Sequence, residues 1–419
     1  VEHQVLHMTS EPLAVAMAKQ GWPVRNYIPV GSLLVGMAYL VRRIMENSSQ
    51  VGVLTQARKG LDPQTALHRA ADILEARKTK NTWISHESMH AQSEQTPSFV
   101  NVAPARLYVP SHRAALEAAI LSRTADQRLL PIDSPHRNGG TSTCHSPSDP
   151  NDVIGTIENL GPDDVAPAID RALNAHKAWS EQPASGRGAC LVRAAELMRI
   201  RRMEGAILVA RDGGKNRVEA LADIDEAIDF LRFYACEALH LESESERQSR
   251  GVMAVIAPWN FPLAIACGMT SASLAAGNSV LLKPARQTAL VGEYLVRTLH
   301  EAGVPKDVVQ AVPGSGRVIG AALVHNPKVA GCVFTGSRAV GSWIYESMAH
   351  RIAPKVHPDR CALPAKVIAE MGGKNAIIVT ANADLDEAVS GSLASTFAHA
   401  GQKCSAASRI FVDRRIMET

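Results

Sequence analysis

The alternation of hydrophobic and polar positions changes character near residue 150. Ahead of that point, residues 24–30, VRNYIPV, form a short apolar run between Pro23 and Gly31, and this predicts a strand. Residues 33–47, LLVGMAYLVRRIMEN, set Leu33, Met37, Leu40, Val41, Ile44 and Met45 mostly on one helical face, with Arg42 and Arg43 near the middle. Residues 51–135 carry two weaker helical patterns, PQTALHRAADILEARKTK and SHRAALEAAILSR. Their flanks are rich in Ser, Pro and Gly, so this region is expected to be a linker with some helix, running into surface loops through DSPHRNGGTSTCHSPSDPND.

From residue 150 the rhythm is regular. VIGTIENL reads as a strand, and PDDVAPAIDRALNAHKAWS as a helix with acidic residues in its first turn. Long helices are expected over 186–209 and 217–240. After Arg250, the apolar runs GVMAVIAPW, SVLLKP, VVQAVPG and VAGCVFTG alternate with helical segments. Apolar strands separated by helices predict a parallel sheet covered on both faces, an α/β fold.

Composition narrows the function classes. The 419 residues are 46% hydrophobic and 20% charged, an ordinary balance for a globular protein. A net charge of +3 without basic runs gives no ground for a nucleic-acid partner. No apolar run approaches the roughly 20 residues of a membrane-spanning helix. The first residues, VEHQVLHMTS, lack both the pattern of a signal peptide and an initiator Met, so the chain is expected to begin mid-protein. The 7 cysteines, at 144, 190, 236, 267, 332, 361 and 404, are scattered without a CxxC pair. That argues against a zinc site or a disulfide framework and favours a reducing cytoplasm.

Candidate chemistry sits at strand ends. IAPWNFP ends the first strand of the alternating set and holds Asn260 between Trp259 and Phe261. The amide there could support an oxyanion, or Asn260 could simply cap the next helix. LLKPARQT places Lys283 at the carboxyl end of a strand, where ligands bind in open α/β sheets, though a solvated lysine fits the spacing equally. VFTGSRAVG opens a helix through Gly336 and Ser337, which suits a pyrophosphate or a plain tight turn. IAEMGGKNAIIV carries Glu370 and GQKCSA carries Cys404. A thiolate that attacks and a carboxylate that later activates water can share a covalent mechanism.

APWNFP, LLKPA, VPGSG, FTGSRAVG, EMGGKNA and GQKCSA, in this order, resemble the aldehyde dehydrogenase superfamily from about residue 150 to 419. EAIDFLRFYA, AEMGGKNAIIV and AGQKCSA resemble its Δ1-pyrroline-5-carboxylate (L-glutamate γ-semialdehyde) dehydrogenases. Near the N-terminus, SEPLAVAMAKQGWPVRNYIPVGSLLVGMAYLVRRIMENSS resembles the last strand and helix of the proline dehydrogenase (β/α)8 barrel. Bifunctional proline-utilisation enzymes join these two activities in this order.

The resemblance implies a Rossmann-like dinucleotide domain over 150–367 and the start of a catalytic domain over 368–419, preceded by a barrel remnant over 1–50 and a linker over 51–149. It implies Cys404 as nucleophile, Glu370 as the base for water, and Asn260 with the Cys404 backbone N–H as oxyanion donors. Lys283 would bind the adenosine ribose, Gly336 and Ser337 would sit by the pyrophosphate, and Ala257, Pro258, Trp259 and Gly314 would line the cofactor cleft. In the barrel remnant, Arg42 and Arg43 match the pair that grips a substrate carboxylate, with Tyr27 and Glu46 nearby. One strand and one helix cannot hold FAD, which belongs to a complete barrel. A small-molecule partner, no nucleic acid, no membrane span and a homo-oligomeric full-length protein complete the expectation.

Two departures from the family pattern stand out. Arg286 follows KPA where NAD-preferring relatives usually carry a glutamate, and an arginine there attracts a 2′-phosphate. NAD is therefore the first expectation, with NADP tolerated or preferred. The motifs also stop soon after Cys404, so the chain reads as cut at both ends and is expected to have little activity by itself. A dehydrogenase for another aldehyde, of the succinate-semialdehyde type, and a non-catalytic fragment are the competing readings.

Overall fold

The computed structural model describes residues 3–6, 18–19, 24–27, 99–122, 137–243, 248–356 and 363–418. The helix expected over 33–47, with Arg42, Arg43 and Glu46, lies outside the described residues, as do all of residues 51–98. The chain divides into two compact units, Val1–Gln95 and Thr96–Thr419. In the first, β1 (His3–Leu6) pairs in parallel with β2 (Val24–Tyr27), so Tyr27 lies on a strand.

The second unit begins with α1 (Pro110–Ser122), close to the weak helical pattern expected there. Next comes a hairpin, β3 (Thr141–Ser146) antiparallel to β4 (Asp149–Glu158). Residues 141–152 are thus paired strands and not the surface loops expected from their polarity. Cross-strand hydrogen bonds outweigh the poor β-pattern of TSTCHS.

Four helices follow: α2 (Pro162–Ser180), α3 (Ala184–Ile200), α4 (Arg202–Gly213) and α5 (Arg217–Ser243). The helix expected over 186–209 is two helices, broken at Arg201, whose φ −95 and ψ 23 leave the α-helical basin. Gly214 ends α4 in the left-handed region at φ 66.

The alternating segment is as the pattern predicts. It comprises β5 (Val252–Ile256), α6 (Ala264–Ala275), β6 (Ser279–Lys283), α7 (Ala289–Glu301), β7 (Val309–Ala311), α8 (Ala321–His325), β8 (Val329–Gly336), α9 (Arg338–Met348) and β9 (Lys366–Met371). A π-helical turn, Gly316–Gly320, leads into the short α8.

The five strands form one parallel sheet in the order β7-β6-β5-β8-β9. β5, β6 and the first six residues of β8 are almost wholly buried, as strands covered on both faces must be. On one face, α2, α8 and α9 pack Ile169, Ala172, Leu323, Val324, Ile344 and Met348 against Val252, Ala254, Leu281, Cys332 and Phe334. α6 packs on β5 and β6, backed by α5.

The chain runs outward from β5 to β6 and β7, then returns to the other side of β5 for β8 and β9. The strand order therefore reverses between β5 and β8, and a crevice at such a point is where open α/β sheets bind ligands. Beyond β9, β10 (Asn375–Val379) pairs in parallel with β11 (Ala407–Val412), joined through α10 (Leu385–Phe397). None of the helices in the described residues is long and apolar enough to cross a membrane.

Candidate active site

The strand ends bring the sequence motifs to one edge of the sheet. Register pairs Ile256 with both Lys283 and Phe334, and Thr335 with Glu370. The residues that leave β5, β6, β8 and β9 thus share the carboxyl edge around the reversal point.

Leaving β5, Ala257 donates its backbone N–H to the Lys283 carbonyl at 3.1 Å, which extends the sheet by one rung into the turn. Ala257 and Pro258 are buried and Trp259 is exposed. Asn260 does not act as the cap of α6. Its Nδ2 donates to the Gln402 carbonyl at 2.6 Å, two residues before Cys404.

Lys283 is 5% exposed, although it is a lysine at a strand end. Its Nζ donates to the Pro284 carbonyl at 2.8 Å, and burial pulls its ammonium down from 10.5 to about 8. A lysine this deep, bonded to a neighbouring carbonyl, has donors left for a ligand hydroxyl or phosphate. The solvated lysine that the spacing alone allowed is excluded.

β8 runs out through Gly336 into Ser337, which caps α9 by accepting from the Val340 N–H at 3.4 Å. The N-terminus of an eleven-residue helix faces the strand edge here, with the orientation that favours an anion. Gly341 lets α9 approach β9 closely, since a Cβ there would stand 2.7 Å from Met371 Sδ. Gly314, at φ 143, is in a region open mainly to glycine, and a Cβ would meet Ile319 Cγ1 at 2.7 Å.

Arg286 is exposed in a short 3-10 turn, Arg286–Thr288. It lines a cleft of about 370 Å³ with Gly314, Ser142, His145 and Asn159. The hairpin, whose first strand the sequence pattern does not predict, therefore forms one wall of the cleft that Arg286 and Gly314 share.

Glu370 and Cys404 are both half-buried. Asn375, three residues after the Gly372-Gly373 pair begins, donates Nδ2 to the Cys404 carbonyl at 2.7 Å and to the Ala406 carbonyl at 3.1 Å. A Cβ on Gly373 would lie 3.3 Å from that same Cys404 carbonyl. The segment that follows Glu370 is thereby packed against the backbone of Cys404.

The loop that carries Cys404 is bent through three left-handed residues, His399 (φ 57), Ala400 (φ 52) and Gly401 (φ 69). Two of them are not glycine, so the surroundings must hold this shape. His399 is 5% exposed. Its backbone N–H donates to Glu219 Oε1 at 2.6 Å, its Nε2 lies 2.7 Å from the Asn260 carbonyl, and its ring stacks on Phe261 at 4.6 Å. Lys215 sits over the Phe261 ring at 4.1 Å and pairs with buried Asp223 at 2.8 Å. Burial, then the Lys215 charge, pull the imidazole below its ordinary range. Asn375 lies inside the EMGGKNA motif without a role assigned from the sequence, and no sequence pattern singles out His399, Glu219 or Lys215.

Comparison with known proteins places these features. The aldehyde dehydrogenase family model matches residues 135–419, and the proline dehydrogenase model matches residues 1–56. The bifunctional protein PutA of Escherichia coli K12 is 35% identical over 428 aligned positions, covering 97% of this chain and 31% of that protein. The 1-pyrroline-5-carboxylate dehydrogenase of Anoxybacillus flavithermus is 42% identical, covering 63% of this chain and 53% of its own length. Among solved structures, PutA from Bdellovibrio bacteriovorus aligns with TM-score 0.69 at 32% identity, covering 98% of this chain and 43% of that one. The 1-pyrroline-5-carboxylate dehydrogenase from Thermus with bound NAD aligns with TM-score 0.68 at 35% identity, covering 76% and 64%. The chain spans about a third of the length of the bifunctional relatives and about half that of the single-function ones.

Proposed function

Because the chain belongs to the aldehyde dehydrogenase family, we propose that its carboxyl-edge site oxidises L-glutamate γ-semialdehyde, the open form of Δ1-pyrroline-5-carboxylate, to L-glutamate. The observation that carries the reading is the convergence on Cys404. Its loop is tied to the Asn260 side chain on one side and to the segment following Glu370 on the other. The names of the relatives, both bifunctional PutA proteins and 1-pyrroline-5-carboxylate dehydrogenases, support the substrate class over other aldehydes.

The Cys404 thiolate attacks the aldehyde carbon and forms a C–S bond, and the carbonyl oxygen becomes an oxyanion. Asn260 offers that oxygen its amide: one N–H is engaged by Gln402, and the NH2 group has a second. The Cys404 backbone N–H is the other donor. A bound nicotinamide cofactor would supply the acceptor for the hydride whose loss from this adduct leaves a thioester on Cys404. Glu370 takes a proton from the water that attacks the thioester, and the thiolate leaves as glutamate departs.

The strand-edge residues fit such a cofactor. Buried Lys283 would hold the ribose, the N-terminus of α9 with Gly336 and Ser337 the pyrophosphate, and Ala257, Pro258, Trp259 and Gly314 the walls. The Thermus relative with bound NAD supports NAD. Arg286, exposed on its cleft, supports acceptance of the 2′-phosphate of NADP as well. The cysteines among the described residues are free and scattered, which fits a cytoplasmic setting.

The test is to supply the purified chain with pyrroline-5-carboxylate and NAD or NADP and to follow reduced cofactor. Succinate semialdehyde is the competing substrate and Cys404→Ala the control. Faster turnover of the pyrroline-5-carboxylate, abolished in Cys404→Ala, supports the reading. Preference for succinate semialdehyde, or turnover that survives Cys404→Ala, overturns it.

A further inference from the structure

The loop ahead of Cys404 is held by groups that no step above uses. His399 faces acceptors at both ring nitrogens: Nε2 stands 2.7 Å from the Asn260 carbonyl, and Nδ1 stands 3.5 Å from Glu219 Oε2. Its backbone N–H is anchored on the same Glu219, which comes from α5. Its flat face rests on Phe261, the residue after Asn260, at an interplanar angle of 17°. Phe261 is in turn covered by Lys215 and approached by Lys403 at 5.8 Å.

The 399–402 turn and the 260–261 turn are therefore bonded twice, in opposite directions. The ring of His399 reaches the Asn260 backbone carbonyl, and the side chain of Asn260 reaches the Gln402 backbone carbonyl. Each bond removes a rotational freedom that the other leaves. With both in place, the amide of Asn260 and the thiol two residues beyond Gln402 are set at a fixed separation.

We propose that His399 is a positioning residue that locks the oxyanion-binding amide of Asn260 to the Cys404 loop by donating from Nε2 to the Asn260 carbonyl. The proposal rests on the dehydrogenase reading for its effect on turnover, but the loop coupling can be read without it. The donor must be Nε2–H, because a carbonyl can only accept. With Nε2 protonated, neutral His399 leaves Nδ1 bare toward the Glu219 carboxylate, and the length of that contact, 3.5 Å, agrees. The left-handed φ of His399 and Ala400 gives the lock something to hold, since the turn would relax without it.

The test compares the full chain with His399→Phe and His399→Gln. Phenylalanine keeps the stack on Phe261 and drops the donor, whereas glutamine carries an N–H near the place of Nε2. His399→Leu replaces the phenylalanine variant if that one does not fold. Hydrogen exchange of the amides of residues 400–404 is measured alongside kcat and KM. His399→Phe is expected to raise exchange in that loop by about tenfold and to lower kcat by about tenfold, with KM for the cofactor nearly unchanged. Glutamine is expected to restore most of both. If exchange and kcat in His399→Phe match the parent, the lock is absent. If glutamine is as impaired as phenylalanine, the ring packs but does not donate. Either result overturns the proposal. A parent without semialdehyde turnover would bear on the dehydrogenase reading alone, because the exchange comparison still decides whether the lock exists.

Discussion

The side-chain amide of Asn260 stands 2.6 Å from the carbonyl of Gln402, although 142 residues separate them in the chain. One amide thus braces the loop ahead of Cys404, and in the proposed mechanism its second N–H serves the reacting oxygen. Asn260→Ala is expected to lower kcat by about 10²–10³, the usual loss of one oxyanion donor, with little change in KM for the cofactor. Asn260→Asp should be at least as damaging, since a carboxylate faces the Gln402 carbonyl without a hydrogen to give. Steady-state kinetics of the two variants decide it: a kcat within a few-fold of the parent in Asn260→Ala would remove Asn260 from the chemistry.

Lys283 yields a prediction of two opposite signs. Its ammonium is buried, and its ordinary value of 10.5 falls to about 8. The unfolded chain therefore binds more protons than the native one between these values, and the cost of burying the charge is present in full below pH 8. Lys283→Met removes that cost and should stabilise the cofactor-free protein at pH 7, by at most about 3 kcal/mol. The gain should shrink as pH rises from 8 and vanish above 10.5. The same variant should raise KM for the nicotinamide cofactor. Thermal melting across pH 7 to 10, with cofactor kinetics, checks both halves. Stability and affinity falling together would show that the burial is not strained.

How much of this could be read from the chain depends on how local the signal is. The central strands were legible because strands covered on both faces must be continuous apolar runs, and Val252–Ile256 and Ser279–Lys283 are such runs. Lys283, Gly336 and Glu370 were legible because glycine and proline mark the turns that leave those strands. The second strand of the hairpin at 141–158 was legible in VIGTIENL, but the first was not, because TSTCHS has no apolar alternation and its pairing is broken by register shifts. The helix break at Arg201 was hidden too, since apolar residues continue on both sides with no glycine or proline between. The anchoring of His399 was invisible because Glu219 lies 180 residues away, and no spacing rule connects them.

Arg286 sets up a test of cofactor choice. Exposed on a cleft opposite Gly314, its guanidinium can bond a 2′-phosphate in bidentate fashion, and a glutamate there would repel it. Arg286→Glu is expected to lower the ratio of kcat/KM for NADP to that for NAD by at least about tenfold, equivalent to 1.4 kcal/mol. Among the described residues this exposed side chain makes no hydrogen bond or ion pair, so melting should be unchanged. An unchanged ratio would mean that Arg286 does not meet the ribose.

Asp212 gives the last prediction, and it concerns stability alone. The residue lies on α4, is 2% exposed, and accepts the Val291 N–H at 3.1 Å in the first turn of α7. Its Oδ1 has no hydrogen-bond partner among the described residues, and neither does the buried hydroxyl of Thr288. Burial outweighs the backbone N–H bonds and pushes the carboxyl up from 3.8 to about 7, with the Cys144 thiol nearby and the Leu290 and Val291 N–H groups pulling it back. Since the folded value is the higher one, the native state holds a proton that the unfolded chain has released between these limits. The stability this confers is complete below pH 3.8 and is lost as pH rises through about 7. Asp212→Asn keeps an acceptor for Val291 and cannot ionise. Its melting temperature relative to that of the parent should therefore climb between pH 5 and pH 8, by roughly 2 °C or more. A difference between the two proteins that stays constant from pH 5 to pH 8 would show that Asp212 does not titrate in this range.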